Sequence, residues 1–262
     1  MILSMTSYGQ RLKDLHKRLE WVDGLPAGLP LFLWIGNNEE IPEALQEFVD
    51  KRPNKVYLKI VDDLKSLKKS YFALQMTEQV IFMLDDDWAY TPNWIMYTID
   101  NYMANRRIHS DCVIGSIGYK VVKNNTGDFE FMMYGDAQNQ FQKSLKYVSG
   151  HCTPLTPSYK NVILSGGPGS FISVKQIHSD FFNVDLYNEL CGGTHDEIWN
   201  WIQSIRAGYK HMSMNTVMSL PPCLDSTLGP KLGEINTSDT SNEYMKKLLA
   251  YYPEVRRMLE LE

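Results

Sequence analysis

The sequence lacks the cysteine patterns of zinc-binding and disulfide-rich proteins. Its 262 residues include only 4 cysteines, and none of them forms a CxxC or CxxH pair. A zinc cluster or a secreted disulfide framework needs cysteines at short or paired spacings. We therefore expect a cytoplasmic protein, in a reducing compartment, whose core is large enough to need no disulfides.

Long apolar runs and an excess of basic charge are also missing. Since no stretch of about 18 apolar residues occurs, we expect no membrane-spanning helix, and residues 1–6 lack the basic start of a signal peptide. The formal net charge of −5 offers no general attraction to nucleic acid. A peripheral contact with the inner face of a membrane stays open, because residues 244–259 mix lysine and arginine with apolar side chains.

The first hundred residues alternate short apolar runs with helical patterns. The expected strands are 2–6, 31–35, 56–60 and 80–84. The expected helices are 11–22, one opening at Pro42, 69–77, and one in which Thr91 is the cap and Pro92 the first helical residue. This alternation predicts an α/β fold with a mostly parallel, twisted sheet flanked by helices.

After about residue 110 the pattern changes to short strands among polar loops. The expected strands are 113–117, 131–134 and 162–164, and the expected helices are 179–190, one from Thr194, and a tail of 242–262 broken at Pro253. We expect a single domain over 1–240, made of two halves at about 1–110 and about 111–240. A C-terminal helical tail over 241–262 follows.

Three adjacent carboxylates, Asp85, Asp86 and Asp87, close the fourth expected strand. They repel one another, so a purely structural role would cost stability, and Thr91 already caps the next helix. Mg²⁺ and Mn²⁺ prefer oxygen ligands, commonly one or two carboxylates together with phosphate oxygens. Because strand side chains alternate, Asp85 and Asp87 should point to one side and Asp86 to the other. The position, beyond the carboxyl end of a parallel strand, is where such sheets bind ligands.

The residues around this triplet resemble the DxD segment of bacterial GT-A glycosyltransferases. The similar stretch reads FMLDDDWAYTPNWI over 82–95, and the opening LSMTSYGQR over 3–11 is similar to that family's first strand and turn. Lys69 matches a lysine that precedes the DxD strand there, and the turn at Gly166, Gly167 and Gly169 matches a turn near the donor sugar. The resemblance covers about residues 2–210 as a spaced series of short matches.

The resemblance implies a GT-A (nucleotide-diphospho-sugar transferase) fold, in which about 1–110 is the nucleotide-binding half and about 111–240 the acceptor half. It also implies a set of site residues. Asp87 would be the main metal ligand, Asp85 would contact the metal or the ribose, and His211 would add a C-terminal histidine ligand. The residues expected to contact the nucleotide sugar are Thr6, Ser7, Arg11, Lys69, Asp85, Asp86, Gly166 and Gly167. The structural alternatives are a solvated helix face for Arg11 and Lys69, a plain tight turn for the glycines, and a packing role for His211.

A second acidic site, Asp196-Glu197, opens a later helix. Thr194 and Glu197 have the spacing of a capping box, which would give Glu197 a structural task, and Asp196 would gain from the helix dipole. The resemblance implies that one of the two takes the proton of an acceptor hydroxyl. Spacing to Gly208 matches Glu197 to the family's base, whereas capping would leave Asp196 freer. Asp196 is the first choice and Glu197 the second.

Together these features predict a glycosyltransferase of the hexosyltransferase type that depends on Mn²⁺ or Mg²⁺. It would move a sugar from a nucleotide diphosphate sugar to a glycan or lipid-linked acceptor, in surface polysaccharide synthesis. One alternative is a nucleotidyltransferase, although the loop 7–11 has a single glycine where that class has a glycine-rich loop. The other is a non-catalytic sugar-nucleotide-binding protein. The nucleotide, sugar, acceptor, stereochemical outcome and oligomeric state stay open.

Overall fold

Most of the described strands form one large sheet. The computed structural model describes residues 1–131, 162–165, 167–214, 221–224 and 238–260. The described strands are β1 Ile2–Thr6, β2 Leu31–Gly36, β3 Val56–Val61, β4 Ile81–Asp85, β5 Cys112–Gly115, β6 Gly118–Lys123, β7 Phe129–Phe131, β8 Val162–Leu164, β9 Ser170–Ile172 and β10 Lys210–Ser213. The large sheet has the order β10-β5-β9-β4-β1-β2-β3, and a smaller one has the order β7-β6-β8.

The large sheet is mostly parallel. Strands β3, β2, β1 and β4 pair in parallel, as do β5 and β10, whereas β9 runs antiparallel to both β4 and β5. Strand β9 is therefore the one member of this sheet that points the other way. The carboxyl ends of the remaining six strands lie along a single edge, where the polar loops that follow β1 and β4 are neighbours.

Helices cover both faces of this sheet. They are α1 Leu15–Arg18, α2 Glu43–Asp50, α3 Lys68–Met76, α4 Pro92–Ile108, α5 Val184–Cys191, α6 Asp196–Arg206, α7 Ser238–Tyr251 and α8 Pro253–Glu260. In β4, Ile81 and Met83 belong to one buried cluster, and Phe82 and Leu84 belong to another on the opposite face. A strand buried on both faces reads as a continuous apolar run. The predicted α/β architecture, a mostly parallel sheet flanked by helices, is confirmed.

The helix expected over 11–22 is broken. Two 3₁₀ turns, Gly9–Leu12 and Glu20–Gly24, flank the single α-helical turn of α1. The apolar face predicted there is nonetheless buried, as Leu12, Leu15 and Leu19 show. A hydrophobic period reports which side chains point inward, and it does not require unbroken i to i−4 hydrogen bonds.

Two other helix starts differ from the prediction. The segment expected to be helical from Ser179 begins as a 3₁₀ turn, and Asn183 then caps α5 by accepting a hydrogen bond from the Leu186 backbone at 3.0 Å. Helix α6 begins at Asp196, two residues later than expected. By contrast Thr91 caps α4 as predicted, since its hydroxyl accepts from the Trp94 N–H at 3.2 Å.

The C-terminal helices pack against the rest of the chain through their apolar side chains. Met245, Leu248, Val255 and Leu259 are buried in the same cluster as the apolar face of α6. Those four side chains are therefore not available to a lipid surface. Among the described helices, none combines the length and the apolar character needed to cross a membrane.

Candidate functional site

The three aspartates lie at the carboxyl edge of the sheet and differ in exposure. Asp85 ends β4 in register with Thr6 of β1. The Asp86 side chain is 4% exposed, whereas those of Asp85 and Asp87 are 30% and 19% exposed. The accessible pair is thus Asp85 and Asp87, the two carboxylates that strand alternation assigns to one side.

Asp86 is held from the inside by residues of the first loop. The Ser7 hydroxyl donates to one of its carboxylate oxygens, and Arg11 Nη1 contacts the other at 2.5 Å. Ser7 is fully buried and Arg11 nearly so. Burial alone would lower the pKa of the Arg11 guanidinium, but Asp86, Tyr8 and Asp87 together outweigh burial and raise this pKa. Ser7 and Arg11 therefore contact the triplet on its buried side. The Thr6 hydroxyl instead donates to the Trp34 carbonyl at 2.8 Å.

Protein cations offset much of the charge of the triplet. Arg11 Nη2 lies 3.7 Å from Asp87, and Lys69 binds Asp85. Arg18 donates to the backbone carbonyls of Asp86 and Arg11. The repulsion among the three carboxylates therefore does not by itself require a metal ion, contrary to the reasoning available from the sequence.

Lys69 joins the triplet to the second acidic site. Its ammonium binds Asp85 and lies 3.4 Å from Asp196 Oδ2, in a side chain that is 4% exposed. Burial would lower its pKa, but the charges of Asp196, Asp85 and Glu197 raise the pKa far above its usual value. The Ser4 hydroxyl of β1 donates to the Lys69 carbonyl and holds the start of α3 beside the sheet. Two acidic segments distant in sequence thus meet at one buried ammonium.

A pair of left-handed glycines leads into the second acidic site. Gly192 and Gly193 have φ of +60° and +72°, which ends α5 and turns the chain into α6. The expected capping box is absent, because His195 occupies the cap position without a side-chain cap bond. Glu197 instead accepts a hydrogen bond from the Ser165 hydroxyl at 3.2 Å.

This arrangement removes the reason for preferring Asp196 over Glu197. Asp196 is buried against Lys69, whereas Glu197 is only half-buried. The carboxylate expected to be freer is therefore the one that a buried cation holds. Glu197 is the more accessible of the two.

The charges and ligands of the site suit a divalent cation that also has phosphate ligands. The described residues contain no group of three or more His, Cys, Asp or Glu side chains that could hold a metal alone. Mg²⁺ and Mn²⁺ are commonly bound through one or two carboxylates plus phosphates, which Asp85 and Asp87 can supply. With every carboxylate ionised, Asp85, Asp86, Asp87, Asp196 and Glu197 carry five negative charges, and Arg11, Arg18 and Lys69 carry three positive ones. The site thus keeps a surplus of negative charge, which attracts a cation.

The structure does not bring His211 to the triplet. His211 pairs with Val113 in β5, and the register across β9 sets both level with Ile81 of β4. His211 is three strands away from β4, at about 4.8 Å per strand, and Asp85 lies four residues further along β4 than Ile81. Together these two offsets place the His211 and Asp85 backbones on the order of 15–20 Å apart. His211 is 2% exposed, and burial lowers its pKa to about 3.

The glycine turn packs closely on the loop of the triplet. A Cβ at Gly167 would lie 2.7 Å from Trp88 Nε1, and the Tyr90 hydroxyl donates to the Gly167 carbonyl. The Asp85 N–H in turn donates to the Tyr90 hydroxyl at 3.2 Å. Gly167 therefore has a packing role beside the aspartates. Gly166, the other glycine expected near the donor, lies outside the described residues.

Several contacts of the site were not predicted from the sequence. Arg18 follows Arg11 by two turns of the predicted helix, so the sequence could have predicted that both side chains lie on the same inward face. Ser165 and Tyr90 carried no comparable signal, because each reaches its partner through the fold.

Comparisons with known proteins leave the family open. No protein-family model and no curated protein matches the chain. Among solved structures, a similar one is the mannosyltransferase PcManGT from Pyrobaculum calidifontis in complex with GDP-Man and Mn²⁺, with 12% sequence identity and a TM-score of 0.46. The match covers 88% of this chain and 57% of that protein. A likeness of this size carries no inference about this chain.

Proposed function

We propose that the chain is a metal-dependent glycosyltransferase with a GT-A fold. It moves a sugar from a nucleotide diphosphate sugar to a hydroxyl of a glycan or lipid-linked acceptor, in surface polysaccharide synthesis. The observation that carries the proposal is the contact of one buried ammonium, Lys69, with both Asp85 and Asp196. A metal-and-phosphate site and a candidate base thereby share one edge of the sheet.

Asp85 and Asp87 would hold the cation, because they are the accessible carboxylates of the triplet. When bound, Mn²⁺ or Mg²⁺ neutralises the charge that develops on the departing nucleoside diphosphate. Asp86, which is bonded to Ser7 and Arg11, would fix the loop that carries its two neighbours. The nucleotide half at about 1–110 supplies all of these residues.

Glu197 is the better candidate for the base. In an inverting transfer the acceptor oxygen attacks the anomeric carbon, and the bond from that carbon to the diphosphate oxygen breaks with its electron pair. The acceptor proton passes to a carboxylate. Glu197 is half-buried and accepts from Ser165, whereas Asp196 is engaged by Lys69. Asp196 then serves to hold Lys69 between the two sites.

A thermal-shift screen of nucleoside diphosphates with and without Mn²⁺ tests the metal role. Wild type should be stabilised by one nucleotide only when Mn²⁺ is present. Saturation to a hundred times Kd contributes about 2.7 kcal/mol, or roughly 5–10 °C in Tm. Asp87→Asn should lose the shift, and Asp111→Asn should keep it, because Asp111 is an exposed acid paired with Lys210 at the opposite edge. An equal shift in Asp87→Asn and wild type contradicts the metal role.

Transfer assays then test the base. Glu197→Gln should bind the nucleotide as wild type does but lose turnover by about a hundredfold or more. Loss of turnover in Asp196→Asn with full activity in Glu197→Gln would reverse the assignment. Pyrophosphate release from a nucleoside triphosphate would instead favour a nucleotidyltransferase. Nucleotide binding without turnover across donors and acceptors would favour a non-catalytic binding protein.

A further inference from the structure

The hydrogen-bond ladder between β4 and β9 ends just before the triplet. Its last antiparallel pair is Met83 with Ser170. Beyond that pair the Tyr90 hydroxyl lies between the two chains, where it accepts from the Asp85 N–H at 3.2 Å and donates to the Gly167 carbonyl. Tyr90 is buried. A side-chain hydroxyl thus joins the two chains where their backbone pairing stops.

The same glycine turn is bonded to the second acidic site. The Gly167 N–H donates to the Ser165 hydroxyl at 3.3 Å, and this hydroxyl donates to Glu197 at 3.2 Å. Ser165 and Gly167 are both buried. Because the two sets of bonds share Gly167, one path of hydrogen bonds runs from Asp85 to Glu197 by way of Tyr90, Gly167 and Ser165.

The chemistry of its groups fixes the direction of every bond in this path. The Asp85 N–H can only donate and the Gly167 carbonyl can only accept, so the Tyr90 proton points to Gly167. In the same way, the Gly167 N–H takes a lone pair of Ser165, and the Ser165 proton points to the ionised Glu197 carboxylate. Bonds that run in one direction polarise one another, and burial strengthens each of them. Rotation of either hydroxyl would therefore break the path.

We propose that Ser165 and Tyr90 are positioning residues that hold the Glu197 carboxylate in a fixed place relative to Asp85. Ser165 contacts Glu197 directly, and Tyr90 acts on it through Gly167. A base must lie within hydrogen-bond reach of the proton that it takes, and a misplacement on the scale of 1 Å lowers turnover by up to about a hundredfold. The effect on turnover rests on the proposed function, whereas the path of hydrogen bonds does not.

Amide hydrogen exchange, measured by NMR, tests the path without any activity assay. Ser165→Ala should speed exchange of the Gly167 amide by about fivefold or more, which is the change that the loss of one hydrogen bond produces. Tyr90→Phe should speed exchange of the Asp85 amide in the same way. It should also speed exchange of the Gly167 amide, although Ser165, the partner of that amide, is unchanged.

Two matched variants control for the loss of a buried hydroxyl. Tyr102→Phe removes a hydroxyl that bonds to Arg106 within α4, and Ser204→Ala removes one that bonds to the Asn200 carbonyl within α6. Both hydroxyls belong to residues as buried as the two under test. The controls should leave the exchange of both amides, and kcat, at their wild-type values.

Transfer kinetics supply the second readout. Ser165→Ala should lower kcat about tenfold with donor KM and Mn²⁺ affinity unchanged, because Ser165 contacts the candidate base. Tyr90→Phe should lower kcat about fivefold. If Tyr90 acts through Ser165, the double variant is no slower than Ser165→Ala, whereas independent effects multiply to about fiftyfold. A loss of stability alone would not separate kcat from KM.

Three results overturn the proposal. Equal exchange of the Gly167 amide in Ser165→Ala and wild type removes the path. A wild-type kcat in Ser165→Ala removes the positioning role, and multiplying effects in the double variant remove the action of Tyr90 through Ser165. If wild type transfers no sugar, the proposed function fails, but the exchange rates still decide the path. If Tyr90→Phe does not fold, a crystal structure of wild type decides it, because a Tyr90 hydroxyl beyond hydrogen-bonding distance of the Gly167 carbonyl contradicts the path.

Discussion

Replacing Lys69 by methionine would leave Asp85 and Asp196 without the ammonium that lies between them. Removing one partner of a buried ion pair costs about 3–5 kcal/mol, because the other charge stays buried without compensation. Asp196 is almost fully buried, whereas Asp85 is 30% exposed and can be solvated. We therefore expect the lower end, about 3 kcal/mol of unfolding free energy. For a chain of this size that loss corresponds to roughly 6–12 °C in Tm.

The pH dependence of this loss has a definite sign. The pKa of Lys69 is raised in the folded state from an ordinary value of 10.5. Below pH 10.5 both states hold the proton and the full stabilisation is present. Above it the unfolded chain loses the proton first, so stability falls with rising pH. Urea unfolding should thus show a wild-type advantage over Lys69→Met that is constant near neutrality and shrinks above about pH 10.5.

Lys68→Met is the matched control for this experiment. Lys68 is an equally buried neighbour on the same helix, but it pairs with Asp63 and not with the acidic sites. Both variants should lose stability, and only Lys69→Met should also lose nucleotide binding in the presence of Mn²⁺. Unfolding of Lys69→Met at the same urea concentration as wild type would refute the interpretation that Lys69 stabilises the fold through Asp85 and Asp196. Equal loss of nucleotide binding in both variants would refute it as well.

Three further predictions concern other contacts of the site. Gly169→Ala combines a left-handed φ of +102° with a Cβ that would overlap the Phe82 ring, so we expect a loss of about 2–4 kcal/mol in urea unfolding. Gly208→Ala, with φ of +88° and nothing within 4 Å, should lose only about 1–2 kcal/mol; equal losses would show that packing plays no part. Ser7→Ala leaves an oxygen of buried Asp86 without its donor and should cost about 1–3 kcal/mol, and an unchanged Tm would contradict the buried hydrogen bond. His211, whose pKa falls from 6.5 to about 3 on burial, should destabilise the protein by about 2 kcal/mol between pH 7 and pH 5, because the unfolded state binds the proton first. His211→Asn cannot titrate there, so an identical pH slope in this variant would contradict the buried neutral ring.

The strands that carry the triplet were predictable from local sequence. The runs that form β1 to β4 are apolar, of strand length and bounded by polar residues, so their type follows without knowledge of the partners. The cap at Thr91 was predictable for the same reason, since its bond to Trp94 spans three residues. The class of the fold follows from the alternation of such elements.

Strands β6, β9 and β10 were not predicted. Ser170–Ile172 has three residues and Lys210–Ser213 has four, and neither is a continuous apolar run like the equally short Val162–Leu164. Each is a strand because a neighbour supplies its hydrogen bonds, as β9 does by lying between β4 and β5. Ser170, Ser213 and His211, which lie in these segments, do not by themselves favour a strand.

Residue types and local order alone determined that carboxylates end the fourth strand and that Asp196 and Glu197 open a helix. Only the tertiary structure decided that Lys69 lies between them, that Arg11 and Ser7 hold Asp86, and that Glu197 accepts a hydrogen bond from Ser165. The physical reason is that a local pattern specifies direction and burial over a few residues. Contacts between charges that are distant in sequence depend on strand order and register, which only the packing of the whole sheet sets.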